Sequence, residues 1–192
     1  MVHIKSLPSA NLDKMTTEAL HKQIPFYLAA GIIFLLLKLG HSMADHNALQ
    51  FLLWPTSKLV ALMTGASSSY LPEGGYFHAQ LNIVINKSCS GFNFWLICFL
   101  MLYSMGLFGA KKIVHKALWL PGSLFLAYLL TIFVNSSRIL IALALNSSGI
   151  GKEQAWLHQA EGVFSYLFFL LIIYFSFDFL LKKHTQAHEK PT

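Results

Sequence analysis

The sequence predicts an all-α integral membrane protein, a helical bundle of four to six transmembrane or re-entrant helices with a short outer loop region. Of its 192 residues, 55% are hydrophobic and only 11% are charged, which is far from the composition of a soluble domain. The mean hydropathy is +0.55. Several apolar runs reach the length of about 17 to 25 residues that a membrane-spanning helix needs. A chain of this length has room for one helical bundle and no separate soluble domain.

Four apolar runs are predicted to cross the membrane as helices: residues 24–39, 91–110, 117–134 and 163–181. Residues 48–64 are also apolar, but a polar segment at 55–58 interrupts them, and a full crossing would leave polar groups in hydrocarbon. We therefore expect this stretch to be interfacial or re-entrant. Residues 138–145 are apolar but too short to span unless they continue the preceding helix.

The basic residues predict the topology. They cluster in an N-terminal tail at 1–23, in a loop at 111–116 and in a C-terminal tail at 182–192. Because short cytoplasmic loops carry the excess of lysine and arginine, we expect all three on the cytoplasmic side of the cell inner membrane, around one multi-pass domain at 24–181. An even number of crossings then separates each pair, which again keeps 48–64 from crossing fully. The net charge of +6 lies beside apolar runs rather than along one face, so nucleic acid is not an expected partner.

Residues 66–88 are predicted to form the outer loop region. Glycine and proline interrupt this stretch, and residues 80–85 have some β character. In the topology that the lysines favour, Cys89, Arg138 and His158 all fall at the outer leaflet. Three side chains able to do chemistry are therefore expected on one side of the membrane, although they come from distant parts of the chain.

Cys89 is the candidate nucleophile. It lies in a small polar segment directly before the apolar run that starts at Gly91. A free thiol is mostly protonated at neutral pH unless a nearby cation or a helix N-terminus stabilises the thiolate, and Cys89 has access to both. The alternative is a structural cysteine. The second cysteine, Cys98, lies deep in the same run and is interpreted as an inert core residue.

Arg138 is the only arginine in the chain, and it lies among apolar residues. Beside the other apolar runs, lysines are the residues that anchor the chain at the membrane surface. A charged arginine next to lipid is unfavourable in free energy, so we expect Arg138 to have a function. Its planar guanidinium can stabilise a thiolate, bind a substrate carboxylate or hold an oxyanion. Asn135, three residues earlier, would share its helix face. The alternative is an anchor that snorkels to the interface.

His158 lies just before the last apolar run, with Glu161 within reach on a helix. Imidazole can take a proton from a thiol and return it to a leaving amine, as in cysteine acyl transfer. The alternative is an ordinary interfacial histidine. The other histidines, among them His41 and His78, mostly lie in predicted loops or tails and show no metal-ligand spacing, so no metal and no organic cofactor is expected.

Seven short segments carry a resemblance to a known family: 54–55, 64–65, 74–76, 87–94, 127–131, 134–139 and 158–162. The longest read Lys-Ser-Cys-Ser-Gly-Phe-Asn-Phe at 87–94 and Val-Asn-Ser-Ser-Arg-Ile at 134–139. In this order they resemble the exosortase and archaeosortase family of integral membrane cysteine transpeptidases, most closely the branch called exosortase K. The resemblance covers most of the chain.

The resemblance implies an outward-facing active site of Cys89 as nucleophile, Arg138, and His158 as base or positioning residue. Asn93, Asn135 and Glu161 are candidates for substrate contact or support. Such enzymes are thought to cut the C-terminal sorting signal of an exported protein and to pass that protein to an acceptor, here a lipid, a glycan or water. The expected partners are therefore exported protein substrates with a sorting tail, and membrane lipid.

Two other classes of function compete with the enzyme. One is a non-catalytic membrane scaffold or assembly subunit, which would tolerate replacement of Cys89. The other is a small transporter whose Arg138 and His158 bind a solute. A transporter more often has an inverted repeat and a charged site at mid-bilayer, and the sequence has neither. We therefore expect a membrane-embedded cysteine peptidase or transpeptidase.

Overall fold

The structure, a computed structural model, describes the backbone of residues 23–45, 47–72, 74–109, 112–147 and 155–189, with their side chains except at 108–109, 155–161 and 184–189. The helices within these ranges are α1 Ile24–Met43, α2 Gln50–Thr64, α3 Phe92–Gly109, α4 Ile113–Ser147 and α5 Ala155–Glu189. The strands are β1 Ser69–Leu71, β2 Gly75–His78 and β3 Ile83–Ile85. The predicted all-α fold class is confirmed, with a small sheet added to it.

Four helical segments are long and apolar enough to cross a membrane: Ile24–Met43, Lys87–Leu107, Ile113–Ser147 and Gly162–Lys183. They coincide with the four runs predicted to span. The third is one unbroken helix of 35 residues, α4, so residues 138–145 do continue the helix before them. This places Arg138 in the second half of a single long helix rather than on a separate short one.

Helix α2 is shorter, at 15 residues, and lies outside those four segments. Pro55 lies inside it and has no N–H to give to the carbonyl of Phe51, one turn earlier. The hydroxyl of Tyr128 on α4 donates to that carbonyl instead, at 2.8 Å. A neighbouring helix thus satisfies the acceptor that the proline frees, as a helix in an apolar environment requires.

Helix α3 is the central helix of the bundle. Of its span, 61% of the residues are buried, against 6% for the spans of α1 and α5. The sequence explains this, because α3 is apolar on almost every face, and such a helix is stable only when neighbours surround it. Two indoles fix α4 against it: Trp95 donates to the Leu124 carbonyl at 3.0 Å and Trp119 to the Leu102 carbonyl at 3.1 Å.

The predicted outer loop region contains a three-stranded antiparallel sheet in the order β1-β2-β3. The β character expected at 80–85 belongs to β3, which follows a 3₁₀ turn at Ala79–Leu81. His78 on β2 is completely buried, and its Nε2 lies 3.0 Å from the hydroxyl oxygen of Ser57 on α2. Burial lowers the pKa of His78, so a neutral ring fastens the sheet to the bundle.

The predicted tails are only partly within the described residues. Residues 1–22 of the N-terminal tail lie outside them. Helix α5 continues to Glu189, so part of the predicted C-terminal tail is helical. An ion pair between Asp178 and Lys182, 2.7 Å apart and one turn from each other, supports this last stretch.

Candidate active site

Cys89 ends a 3₁₀ turn, Lys87–Cys89, that follows strand β3. Asn86 begins this turn with its side chain, since Asn86 Oδ1 accepts from the Ser88 amide at 3.1 Å and from the Ser88 hydroxyl at 2.7 Å. The Cys89 amide donates to the Asn86 carbonyl at 2.9 Å. The thiol is half-buried, with the Ser88 hydroxyl 3.8 Å away. The cysteine is therefore held on a tight, hydrogen-bonded turn rather than on a free loop.

Gly91 turns the chain from Cys89 into α3, which begins one residue later. Its φ of +70° lies in the left-handed region that favours glycine. A Cβ at Gly91 would lie 3.1 Å from Asn135 Cγ and 3.1 Å from Thr131 Cγ2, both on α4. The lack of a side chain thus lets the Cys89 turn lie directly against α4, at the N-terminal end of α3.

Asn135 joins this turn to the rest of the bundle. Its side chain is completely buried. Its amide nitrogen donates to the Cys89 carbonyl at 2.5 Å, and its Oδ1 accepts from the Tyr166 hydroxyl on α5 at 2.8 Å. The sequence predicted Asn135 as a support residue on the helix face of Arg138, and the structure brings it into contact with the main chain of the candidate nucleophile.

Arg138 lies one helical turn beyond Asn135 and points toward α5. Its Nη1 donates to the Tyr166 hydroxyl at 3.4 Å, and its guanidinium carbon lies 5.3 Å from the centre of the Tyr166 ring. A Cβ at Gly162 would lie only 2.8 Å from two of the guanidinium nitrogens. Within the described residues, the buried Arg138 Nε has no hydrogen-bond partner. The guanidinium is thus positioned on two sides and keeps a donor for a further group.

Sequence reasoning missed Tyr166. It is the residue through which Arg138 and Asn135 are linked, so the hydrogen bonds run from Arg138 to Tyr166, from Tyr166 to Asn135, and from Asn135 to Cys89. One signal was present in the sequence. Tyr166 follows Gly162 by four residues, so the two share a helix face, and with Ser165 it is one of two hydroxyl-bearing residues in the apolar run 163–173.

His158 and Glu161 belong to the backbone of α5, in the turns before Gly162. Their side chains lie outside the part of the chain that the structure describes. The predicted pairing of His158 with Cys89, and its support by Glu161, therefore stay predictions.

Asn93, the remaining predicted residue, lies in the first turn of α3. Its Oδ1 accepts from Lys38 Nζ on α1 at 2.6 Å. It lines a cavity of about 440 Å³ that the Cys89 turn and the start of α3 form together with His41 and Tyr166. The His41 ring stacks on Phe92, with ring centres 4.1 Å apart. His41, expected in a loop, lies instead in the last turn of α1 beside the candidate site.

Lys87 also lines this cavity and is held in place by hydrogen bonds to the end of α1. Its ammonium donates to the carbonyl of Ala44 at 2.7 Å and to that of Ser42 at 3.3 Å. These carbonyls lie at the C-terminal end of α1, where the helix leaves acceptors without partners and where positive charge is favourable. Lys87 therefore joins the end of α1 to the Cys89 turn.

The geometry combines a thiol on a constrained turn with a guanidinium whose Nε has no partner among the described residues, and a cavity lies beside the turn. This set can bind and stabilise a group that gains negative charge during attack by a thiolate. Within the described residues, no three histidine, cysteine or carboxylate side chains lie close enough together to hold a metal ion. No family model, curated protein or solved structure matches the chain, so the interpretation of this site depends on its residues and their geometry.

Proposed function

We propose that the chain is a membrane-embedded cysteine peptidase and transpeptidase of the exosortase type. It cleaves a C-terminal sorting signal of exported proteins at the outer face of the inner membrane and transfers them to an acceptor. The observation that carries the proposal is the chain of hydrogen bonds from Arg138 through Tyr166 and Asn135 to the Cys89 carbonyl. It connects the two predicted reactive residues across three elements of the fold.

In the proposed reaction, the Cys89 thiolate attacks the carbonyl carbon of a substrate peptide bond, and the carbonyl oxygen becomes an oxyanion. Arg138 is joined to the turn through Tyr166 and Asn135, and its Nε has no partner among the described residues. It stabilises this oxyanion together with backbone N–H groups near Gly91. The carbon–nitrogen bond then breaks, and the leaving amine takes a proton that His158 received from the thiol. The product is a thioester on Cys89.

The second step returns the enzyme to its starting state. A nucleophile on the acceptor attacks the thioester carbonyl and gives its proton to His158, the carbon–sulfur bond breaks, and the departing Cys89 thiolate takes that proton from His158. Asn135 and Tyr166 act as positioning residues, because they hold the Cys89 main chain and the guanidinium in a fixed relation without touching substrate. The lysine clusters on the other side of the predicted membrane support an outward-facing site.

The test is intact-mass analysis of the purified protein after incubation with membrane proteins of its own host. We expect a covalent adduct on the wild type that hydroxylamine releases, because hydroxylamine cleaves thioesters. Cys89→Ala should carry no adduct, whereas the matched variant Cys98→Ala, which removes the buried cysteine of α3, should carry it as the wild type does. An adduct that persists in Cys89→Ala, or its absence from a folded wild type, would refute the proposal and favour a non-catalytic scaffold.

Gly162→Ala is predicted to lower adduct formation about tenfold or more with little loss of stability. The new methyl group would overlap the Arg138 guanidinium, which can move away because it is the far end of a flexible side chain. Displacement of about 1 Å at a catalytic group is enough for a large loss of rate. The rate of adduct formation and the thermal midpoint of unfolding measure the two effects.

The matched control is Gly31→Ala on α1, where a Cβ would meet no heavy atom within 4 Å. It also replaces a helical glycine, and it should leave the rate of adduct formation unchanged. A wild-type rate in Gly162→Ala would show that the position of the guanidinium against α5 is unimportant for the reaction.

A further inference from the structure

The cavity beside the Cys89 turn carries positive charge that no acidic residue of its lining balances. The lining residues are His41, Lys87, Ser88, Ser90, Gly91, Phe92, Asn93 and Tyr166. Lys87 lines the cavity directly, and Lys38 donates to the lining residue Asn93. Both ammonium groups donate to neutral acceptors, main-chain carbonyls for Lys87 and a side-chain amide for Lys38. Among the described side chains, two formal positive charges are therefore left without an acidic partner.

His41 is a further polar group that lines this cavity. Its Nε2 is buried and has no hydrogen-bond partner within the described part of the chain. Phe92 fixes the plane of the ring by stacking, and the charges of Lys87 and Lys38 both act on it. A buried nitrogen without a partner costs free energy unless a ligand or water satisfies it. The hydroxyl groups of Ser88 and Ser90, which also line the cavity, can contribute as well.

The position of the cavity in the bundle indicates which class of ligand it can bind. His41 lies at the last turn of the first membrane-spanning segment, and Lys87 is the first residue of the second. Both therefore lie where a span meets the polar boundary of the bilayer, at the depth of lipid headgroups. Basic pockets between membrane helices bind phosphate-bearing headgroups on the cytoplasmic side of membranes, and the same charge complementarity applies to a basic pocket at this boundary.

From these observations we propose that the cavity binds a phosphate monoester, carried by a membrane lipid or by a small soluble molecule. A phosphate monoester has a charge of about −1.5 to −2 at neutral pH, which matches the two lysines, whereas a carboxylate would leave one positive charge unbalanced. Its three terminal oxygens can accept from donors on different walls of the cavity. A volume of about 440 Å³ also leaves room for the group that the phosphate esterifies.

This binding site does not require the proposed cleavage reaction. Cys89 is not among the residues that line the cavity. Cys89→Ala should therefore bind phosphate monoesters as the wild type does, even though it forms no thioester. The two proposals can fail separately, because one is measured by ligand affinity and the other by a covalent adduct.

The experiment is a calorimetric titration, in which each ligand is added to the delipidated full-length protein in a neutral detergent and the heat of binding is measured. The probes are dihexanoyl phosphatidic acid for a lipid source and glycerol 3-phosphate for a soluble source, with dihexanoyl phosphatidylcholine and the monocarboxylate glycerate as comparison ligands. We expect saturable binding of a phosphate monoester and at least about tenfold weaker binding of both comparison ligands. Preference for phosphatidic acid over glycerol 3-phosphate would identify a lipid ligand, and equal binding of the two a soluble one.

Lys87→Gln and His41→Leu should each weaken the binding about tenfold or more, since the first removes a positive charge and the second removes the ring nitrogen that bonds to the ligand. The matched control is Lys58→Gln, which removes the same charge from an exposed position on α2 and should change the affinity less than about twofold. Because Lys87 also holds the end of α1, His41→Leu keeps the test valid if Lys87→Gln fails to fold. Equal binding of glycerate, no saturable binding of either monoester, or an unchanged affinity in His41→Leu would overturn the proposal.

Discussion

Gly75→Ala is expected to cause a large loss of stability. Gly75 begins β2 with a φ of +94°, and a Cβ there would lie 2.4 Å from the carbonyl oxygen of Ile85 on β3. The left-handed backbone alone costs about 1 to 3 kcal/mol for a residue with a side chain. The overlap adds to this, because the atom it meets belongs to the backbone of the neighbouring strand and cannot rotate away.

Gly75→Ala should also displace residues of the candidate active site. The same Cβ would lie 3.1 Å from the Cα of Asn86, the residue that begins the Cys89 turn. To relieve the overlap, β3 has to move away from β2, and Asn86 has to move with it. We therefore expect Gly75→Ala to lower both the thermal midpoint in detergent and the rate of adduct formation.

Gly74→Ala is the matched control for this substitution. Its Cβ would meet only side-chain atoms of Leu71, at 3.4 Å and more, and its φ is not in the left-handed region. We expect its thermal midpoint and its rate to stay near those of the wild type. If Gly75→Ala melted at the same temperature as Gly74→Ala, the close approach of β2 to β3 would not contribute to stability.

The membrane-spanning part of the fold was predictable because a long apolar run can form few structures other than a membrane-spanning helix. A helix satisfies its own backbone in hydrocarbon, so composition and length determine the element without any long-range contact. The same reasoning left residues 138–145 too short to span unless they continued the helix before them, and the structure shows that they do. The sheet was predicted only as β character at 80–85, since strands of three or four residues are too short to show a periodic pattern.

The candidate site was predictable where chemistry alone distinguishes a residue from its surroundings. Cys89 borders an apolar run and Arg138 is the only arginine, so both stand out in the sequence. Tyr166 and His41 do not, because each depends on a tertiary contact. Tyr166 acquires its role from Asn135 and Arg138 on α4, and His41 from the start of α3, which lies far along the chain. The local pattern of residues in the sequence carries no information about such tertiary contacts.

Arg138→Lys is expected to cause a large loss of activity. The substitution keeps the positive charge but replaces a planar fork of five N–H donors with a single ammonium group. In the structure, one edge of the guanidinium bonds to Tyr166 while the buried Nε remains without a partner within the described residues. A lysine can make the contact to Tyr166 or reach the oxyanion, but it cannot do both at once.

We therefore expect adduct formation to fall about 10²- to 10³-fold in Arg138→Lys, the loss typical of removing one oxyanion donor. The thermal midpoint should change little, because the charge and the aliphatic part of the side chain remain. Lys58→Arg, the reverse exchange at an exposed position on α2, is the matched control and should keep the wild-type rate. A wild-type rate in Arg138→Lys would mean that this site requires only a positive charge, and the oxyanion would then depend on backbone N–H groups alone.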